Sequence, residues 1–183
     1  MSFYVFLKMS LFSSFKSSTN QLLNSIEGHS ITIKREDLIH TEVSGNKFRK
    51  LKYNIENFKQ QSGEGILTFG GAFSNHLAAT AKACKLYGIP TIGIVRGEEW
   101  AAKIEKSTTL DYCRKQEMKL FCVPREVYRQ KEQSFIVQKL RSQQKNLFVL
   151  PEGGTNSLAV KGCKEILTVK DQKFEVICCC VGT

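Results

Sequence analysis

Short apolar, β-branched runs alternate along this chain with longer segments whose apolar residues recur every three or four positions, an alternation that predicts strands separated by helices. The predicted strands are Ile31–Lys34, Gly65–Phe69, Thr91–Val95, Met118–Val123, Leu147–Leu150 and Phe174–Val181. Between the first two, Phe48, Leu51, Ile55 and Phe58 fall at offsets of three and four and so share one face of a helix expected over Asn46–Gln60. An Ala-rich helix starts near Ser74 or Asn75 and stops at Gly88, with Pro90 beyond it. Further helices are expected over Ser107–Gln116, Arg125–Gln143 and Asn156–Leu167.

This order reads as α/β, a parallel sheet with crossover helices. The four strands between residues 65 and 150 form a self-contained run, while the segments outside them belong to a second layer. The expected organisation is therefore a small α/β domain over 49–154, preceded by the N-terminal part of a large domain over 1–48. Residues 155–183 start the rest of that large domain. The last predicted strand runs directly into Gly182 and Thr183, where an open α/β sheet would begin a phosphate-binding turn, so the large domain is expected to be truncated.

Composition narrows the classes. With 183 residues, 42% of them hydrophobic, the chain has enough apolar mass for a real core, which argues against disorder. Lys and Arg number 27 against 17 Asp and Glu, and the net charge of +10 raises nucleic acid, anionic lipid or an anionic cofactor as partners. A nucleic-acid-binding module has little else in its favour: the basic residues are spread over several helices and no recognition signature accompanies them. No nucleic-acid partner is expected. Phe3–Phe15, the longest mostly apolar stretch near the start, is interrupted by Lys8 and is too short for a membrane span. It reads as an irregular arm rather than a cleaved targeting segment. Seven cysteines, an odd number with Cys178, Cys179 and Cys180 adjacent, make no disulfide framework and fit a reducing, cytoplasmic compartment. With no C-x-x-C pair and three histidines in all, no metal site is expected.

Three loops carry candidate chemistry: Ser44–Lys47, Gly70–His76 and Pro151–Asn156. Each follows an extended segment and opens a helix, and its Ser, Asn or Thr residues suit either helix capping or a ligand. Lys47 falls in the first turn of its helix, where the dipole disfavours a cation and so favours the neutral amine that attacks an aldehyde. The alternative is a solvated lysine in the basic run Lys47, Arg49, Lys50, Lys52.

Lys34-Arg35-Glu36-Asp37-Leu38, then Ser44-Gly45-Asn46-Lys47-Phe48-Arg49-Lys50-Leu51, then Gly70-Gly71-Ala72-Phe73-Ser74-Asn75-His76 occur in that order. From about residue 31 onward the chain resembles the 1-aminocyclopropane-1-carboxylate deaminase and D-cysteine desulfhydrase family of pyridoxal-phosphate enzymes. The resemblance implies the tryptophan-synthase-β-like fold, fold type II, with pyridoxal 5′-phosphate between a small and a large domain. It implies that Lys47 is the Schiff-base lysine, Ser74 the active-site serine and proposed nucleophile, and Asn75 the partner of the cofactor's 3′-oxygen. Lys50, one helical turn from Lys47, would reach the phosphate, and Gly182 and Thr183 match the first residues of the phosphate loop. The implied activity is a deaminase or desulfhydrase, a lyase or hydrolase acting on D-cysteine or 1-aminocyclopropane-1-carboxylate and releasing ammonia and a 2-oxo acid. The full-length form would be a homodimer. The alternative is an inactive truncated fragment of such an enzyme. His76 is open between substrate contact and a structural role, and Asn75 is positioned to cap its helix in place of Ser74.

Overall fold

The computed structural model describes residues 11–12, 17–25, 27–144 and 146–179. A short antiparallel hairpin comes first: β1 (Asn20–Leu22) pairs with β2 (Thr32–Lys34), Asn20 opposite Lys34. Helix α1 (Gly45–Gln60) follows and buries Phe48, Leu51, Ile55 and Phe58, the stripe its spacing predicts.

The remaining strands are β3 (Gly65–Gly71), β4 (Thr91–Arg96), β5 (Lys119–Val123) and β6 (Leu147–Val149), and they form one parallel sheet in the order β5-β4-β3-β6. Period-two alternation along β3 sends Ile66 and Thr68 to one face, Leu67 and Phe69 to the other. Ile66 packs with α1 and with helix α2 (Asn75–Tyr87), whose small Ala79, Ala83 and Cys84 allow close approach. Leu67 and Phe69 pack with Val123, Tyr128 and Val137 on the opposite face. Helix α3 (Thr108–Lys115) buries Leu110 and Cys113 against Leu77 and Ala81 of α2. Helix α2 ends as its sequence predicts: Gly88 adopts a left-handed φ of 67° and its N–H reaches the carbonyls of Cys84 and Lys85.

Three elements differ from expectation, and in one of them the difference is only in length: the helix expected over Asn156–Leu167 ends at Cys163. The helix predicted over Arg125–Gln143 is broken into α4 (Arg125–Arg129) and α5 (Phe135–Gln143). Between them Lys131 has a φ of +49° and Ser134 is extended, its hydroxyl donating to the Lys131 carbonyl at 2.8 Å. A tertiary pull accounts for the break, because the Lys131 ammonium is drawn to Glu152 at 2.6 Å and lies 3.4 Å from the Tyr128 ring centre. The last predicted strand is absent over residues 174–179, where no neighbouring strand offers a ladder partner among the described residues. Its end lies outside the described residues.

Helix α6 (Ser157–Cys163) and the turn after it return to α1. Arg49 of α1, buried, donates two 2.9 Å hydrogen bonds to Glu36 and stands 3.5 Å from Glu165. Lys52 and Tyr53 also hydrogen-bond Glu165. Asp171, buried, accepts from Asn20 at 2.8 Å and Lys34 at 2.7 Å, which joins the hairpin to the far end of the chain.

Candidate active site

The order of the strands reverses at β3, with β4 on one side and β6 on the other. The loops leaving β3 and β6 therefore diverge beyond the carboxyl edge of the sheet and leave a crevice. A cleft of about 890 Å³ lies there. Its walls are Lys47 and Lys50 of α1, Ser74, Asn75 and His76 at the start of α2, and Glu152 and Gly153 after β6. The three loops singled out in the sequence thus converge on one space.

Lys47 is half-buried in the first turn of α1, and its amine donates to the Asn46 side-chain oxygen at 3.2 Å. Burial first, and the charge of Lys50 second, push its pKa below the usual lysine value. Lys50, one turn on, donates to the Thr155 hydroxyl at 2.9 Å. Among the described residues neither lysine is ion-paired with a carboxylate.

Ser74, not Asn75, caps α2: its hydroxyl accepts from the Leu77 N–H at 3.3 Å. Asn75 is the first helical residue and is exposed. The turn needs glycine at position 70, because a Cβ there would meet the Ser74 hydroxyl oxygen at 2.7 Å and Leu77 at 2.6 Å. Beside Ser74, Phe73 is exposed at the cleft wall and meets Trp100 edge-on at 5.4 Å.

His76, whose role the sequence left open, is only 2% exposed. Its Nε2 lies 2.7 Å from the Thr68 hydroxyl, which donates to the Leu150 carbonyl at 2.9 Å. Its Nδ1 has no partner among the described residues. Burial, with help from the charges of Lys47 and Lys50, lowers its pKa to about 4, so the ring is neutral. Thr68 carries no motif; its one signal in the sequence is a threonine inside an otherwise apolar strand. Glu152 belongs to the third candidate loop, but nothing in the sequence sets it apart there. Tyr128 donates to it at 2.5 Å and Lys131 at 2.6 Å, fixing both carboxylate oxygens.

Gly182 and Thr183 lie outside the described residues. Among the described residues no helix is long and apolar enough to cross a membrane, and no cluster of three His, Cys, Asp or Glu side chains is placed to hold a metal.

No family model matches the chain. A protein of Thermotoga maritima provisionally named a 1-aminocyclopropane-1-carboxylate deaminase is 34% identical over 164 residues, covering 85% of this chain and 51% of its own length. A Pyrococcus horikoshii protein with the same provisional name is 28% identical over 160 residues, 85% of this chain and 48% of its own. The bifunctional D-cysteine desulfhydrase/1-aminocyclopropane-1-carboxylate deaminase, mitochondrial, of Arabidopsis thaliana is 29% identical over 141 residues, 74% of this chain and 35% of its own. Among solved structures, one titled as an ACC deaminase homologue superposes with a TM-score of 0.71 at 23% identity, covering 92% of this chain and 54% of that one. Maize serine racemase superposes at 0.59 and 17% identity, over 86% of this chain and 44% of its own. The chain spans about half the length of the Thermotoga and Pyrococcus relatives and about a third of the Arabidopsis one. The fold is that of the type II pyridoxal-phosphate enzymes, and the resemblance carried by the motif blocks is borne out by the names of the curated relatives.

Proposed function

We propose that this chain, a relative of pyridoxal-phosphate-dependent 1-aminocyclopropane-1-carboxylate deaminases and D-cysteine desulfhydrases, carries the reactive-lysine side of such a site. The whole protein would release ammonia and a 2-oxo acid from D-cysteine or 1-aminocyclopropane-1-carboxylate. The observation that carries this reading is Lys47: a half-buried amine, pushed toward its neutral form and bound to no carboxylate, at the switch point of a parallel sheet. A neutral amine suits an aldehyde, and two lysines without acidic partners suit a phosphate-bearing anion.

Bound there, pyridoxal phosphate supplies an electron sink for charge developing at the amino acid's α-carbon. Lys47 is the residue to hold its aldehyde carbon, Lys50 its phosphate and Asn75 its 3′-oxygen; Gly182 and Thr183 would add phosphate contacts. The Lys47 amine would take a proton from the α-carbon of the substrate. The Ser74 hydroxyl, at the lip of the cleft, is the candidate nucleophile for a ring-opening substrate. The division into a small domain over 49–154 and flanking parts of a large one belongs to the same proposal. It is supported by Asp171, which ties the last segment to Asn20 and Lys34 of the N-terminal hairpin.

The test is to supply the full-length protein with the cofactor and then with D-cysteine or 1-aminocyclopropane-1-carboxylate, measuring ammonia and 2-oxo acid. Release from either substrate that disappears in Lys47→Ala supports the reading; no release from both refutes it.

A further inference from the structure

We propose that His76 is a positioning residue for Lys47, its Nδ1 serving as the uncharged acceptor to which the Lys47 amine turns inside the cleft. The inference rests on the reading of Lys47 as the reactive lysine.

The hydrogen-bond arithmetic at Thr68 fixes the tautomer. A threonine hydroxyl has one hydrogen, and here it goes to the Leu150 carbonyl, so toward the ring its oxygen can only accept. The 2.7 Å contact with Nε2 therefore requires a proton on Nε2, which in a neutral ring leaves a bare lone pair on Nδ1. A buried acceptor without a partner is rare in folded proteins and calls for a donor.

The donor is chosen by what lines the same space. The charged groups acting on the ring are Lys47 and Lys50 of α1 and Glu152 after β6, and a carboxylate cannot donate. Lys50 donates to the Thr155 hydroxyl at 2.9 Å, the shorter of the two lysines' bonds and one that reaches across to the loop after β6. Lys47 is held by a 3.2 Å bond to its neighbour Asn46, which uses one of three donors and is easily exchanged. Gly154 lies beside the ring; a Cβ there would stand 3.2 Å from Cε1 and 3.4 Å from Nδ1 and so would narrow the approach to Nδ1.

The charge state of the acceptor matters chemically. A carboxylate beside Lys47 would hold it protonated, whereas a neutral imidazole orients the amine without fixing its proton. When Lys47 takes the α-proton of a substrate, that proton stays on Nζ as an N–H donated to Nδ1. Nothing passes to the histidine.

The test uses the chain as it stands, without cofactor: nitrogen NMR of the histidines reports the tautomer, and pH-dependent trace acetylation with peptide mapping reports the pKa of Lys47. The neutral Nε2–H form is expected for His76 between pH 6 and pH 8. His76→Gln keeps a donor for Thr68 but has no acceptor at the place of Nδ1, so the Lys47 pKa should fall by about half a unit or more. His76→Asn, which returns an oxygen near the place of Nδ1, should stay close to the parent value. Thr68→Val frees the other tautomer and should lower the Lys47 pKa, while Thr68→Ser should not. An Nδ1–H tautomer in the parent, or a Lys47 pKa indifferent to His76→Gln, overturns the proposal. Either result with Lys47 still taking up pyridoxal phosphate overturns this inference alone. Failure of Lys47 to take up the cofactor is a separate result that removes the functional reading instead.

Discussion

Gly162 of α6 rests directly on the backbone carbonyl of Arg49 in α1, with no room for a side chain between them. Arg49 is thereby engaged twice: its carbonyl seats α6, and its guanidinium bridges Glu36 before the helix and Glu165 after α6. One residue in the turn after Lys47 thus gathers three segments distant in sequence.

Gly162→Ala should therefore be more costly than the usual helix-favouring exchange. Alanine ordinarily improves a helix, but here its methyl group would overlap backbone that cannot rotate away. We expect a net loss of roughly 1–3 kcal/mol, as for overpacking a core. Chemical denaturation measures it, and an unchanged or raised midpoint would show that α6 can shift away from α1 without loss.

Asp171 makes stability depend on acid. Hydrogen bonds from Lys34, Asn20 and the Thr168 backbone hold its carboxyl well below the ordinary aspartate range. A lowered folded-state pKa contributes stability that is complete above the unfolded value, near pH 4, and is lost as pH falls through the folded value. Asp171→Asn should lower the melting temperature by several degrees at pH 7, at roughly 2–4 °C per kcal/mol for a chain of this size. The gap between parent and variant should shrink steadily below pH 4.

His76 acts in a different window. Its folded pKa of about 4 lies below the ordinary 6.5, so the unfolded chain binds the proton more readily between those values. Stability should decline as pH drops from about 6.5 and level off below about 4, by at most about 3 kcal/mol. Denaturation series at pH 7 and pH 4.5 test this in the parent and in His76→Gln. Equal slopes in both proteins would mean that the ring is not the group responsible.

The strands of the sheet were legible in the sequence as short apolar, β-branched runs between turn residues, and the stripe of α1 by offsets of three and four from Phe48 to Phe58. Lys47, Ser74 and Asn75 were legible because motif blocks carry them. The break at Lys131 was not, since its helical periodicity is intact and the force that breaks it comes from Glu152 and Tyr128, distant in sequence. The partnership of Thr68 with His76, and the seat of Gly162 on Arg49, depend on contacts between elements that no local pattern encodes.

Ser74 illustrates how one residue type can serve two ends. The hydroxyl that would attack a substrate is also the acceptor for the Leu77 N–H. Ser74→Ala should therefore cost about 1 kcal/mol of stability, as loss of a helix cap does. Ser74→Asp, which keeps a capping oxygen, should recover most of it. A role in chemistry requires more: in the full-length protein both variants should lose turnover by about 10²–10⁴-fold, irrespective of stability. Turnover that tracks the cap alone would remove Ser74 from the mechanism.

Lys47 and Lys50 stand one helical turn apart in the same cleft, and the assignment between them can be decided chemically. Lys50 is engaged by Thr155 at 2.9 Å. Lys47 is the amine shifted toward its neutral form, through burial and the charge of Lys50. Imine formation needs the neutral amine, so at neutral pH pyridoxal phosphate followed by borohydride should label Lys47 first. Peptide mapping of the chain should place the pyridoxyl mass on the segment containing Lys47, and Lys47→Arg should abolish that label without moving it to Lys50. Lys50→Met removes the neighbouring charge, so it should raise the Lys47 pKa and shift the pH at half-maximal labelling upward. Labelling that begins at Lys50, or a pH midpoint for Lys47 unmoved by Lys50→Met, would show that the coupling between the two amines does not set which one reacts.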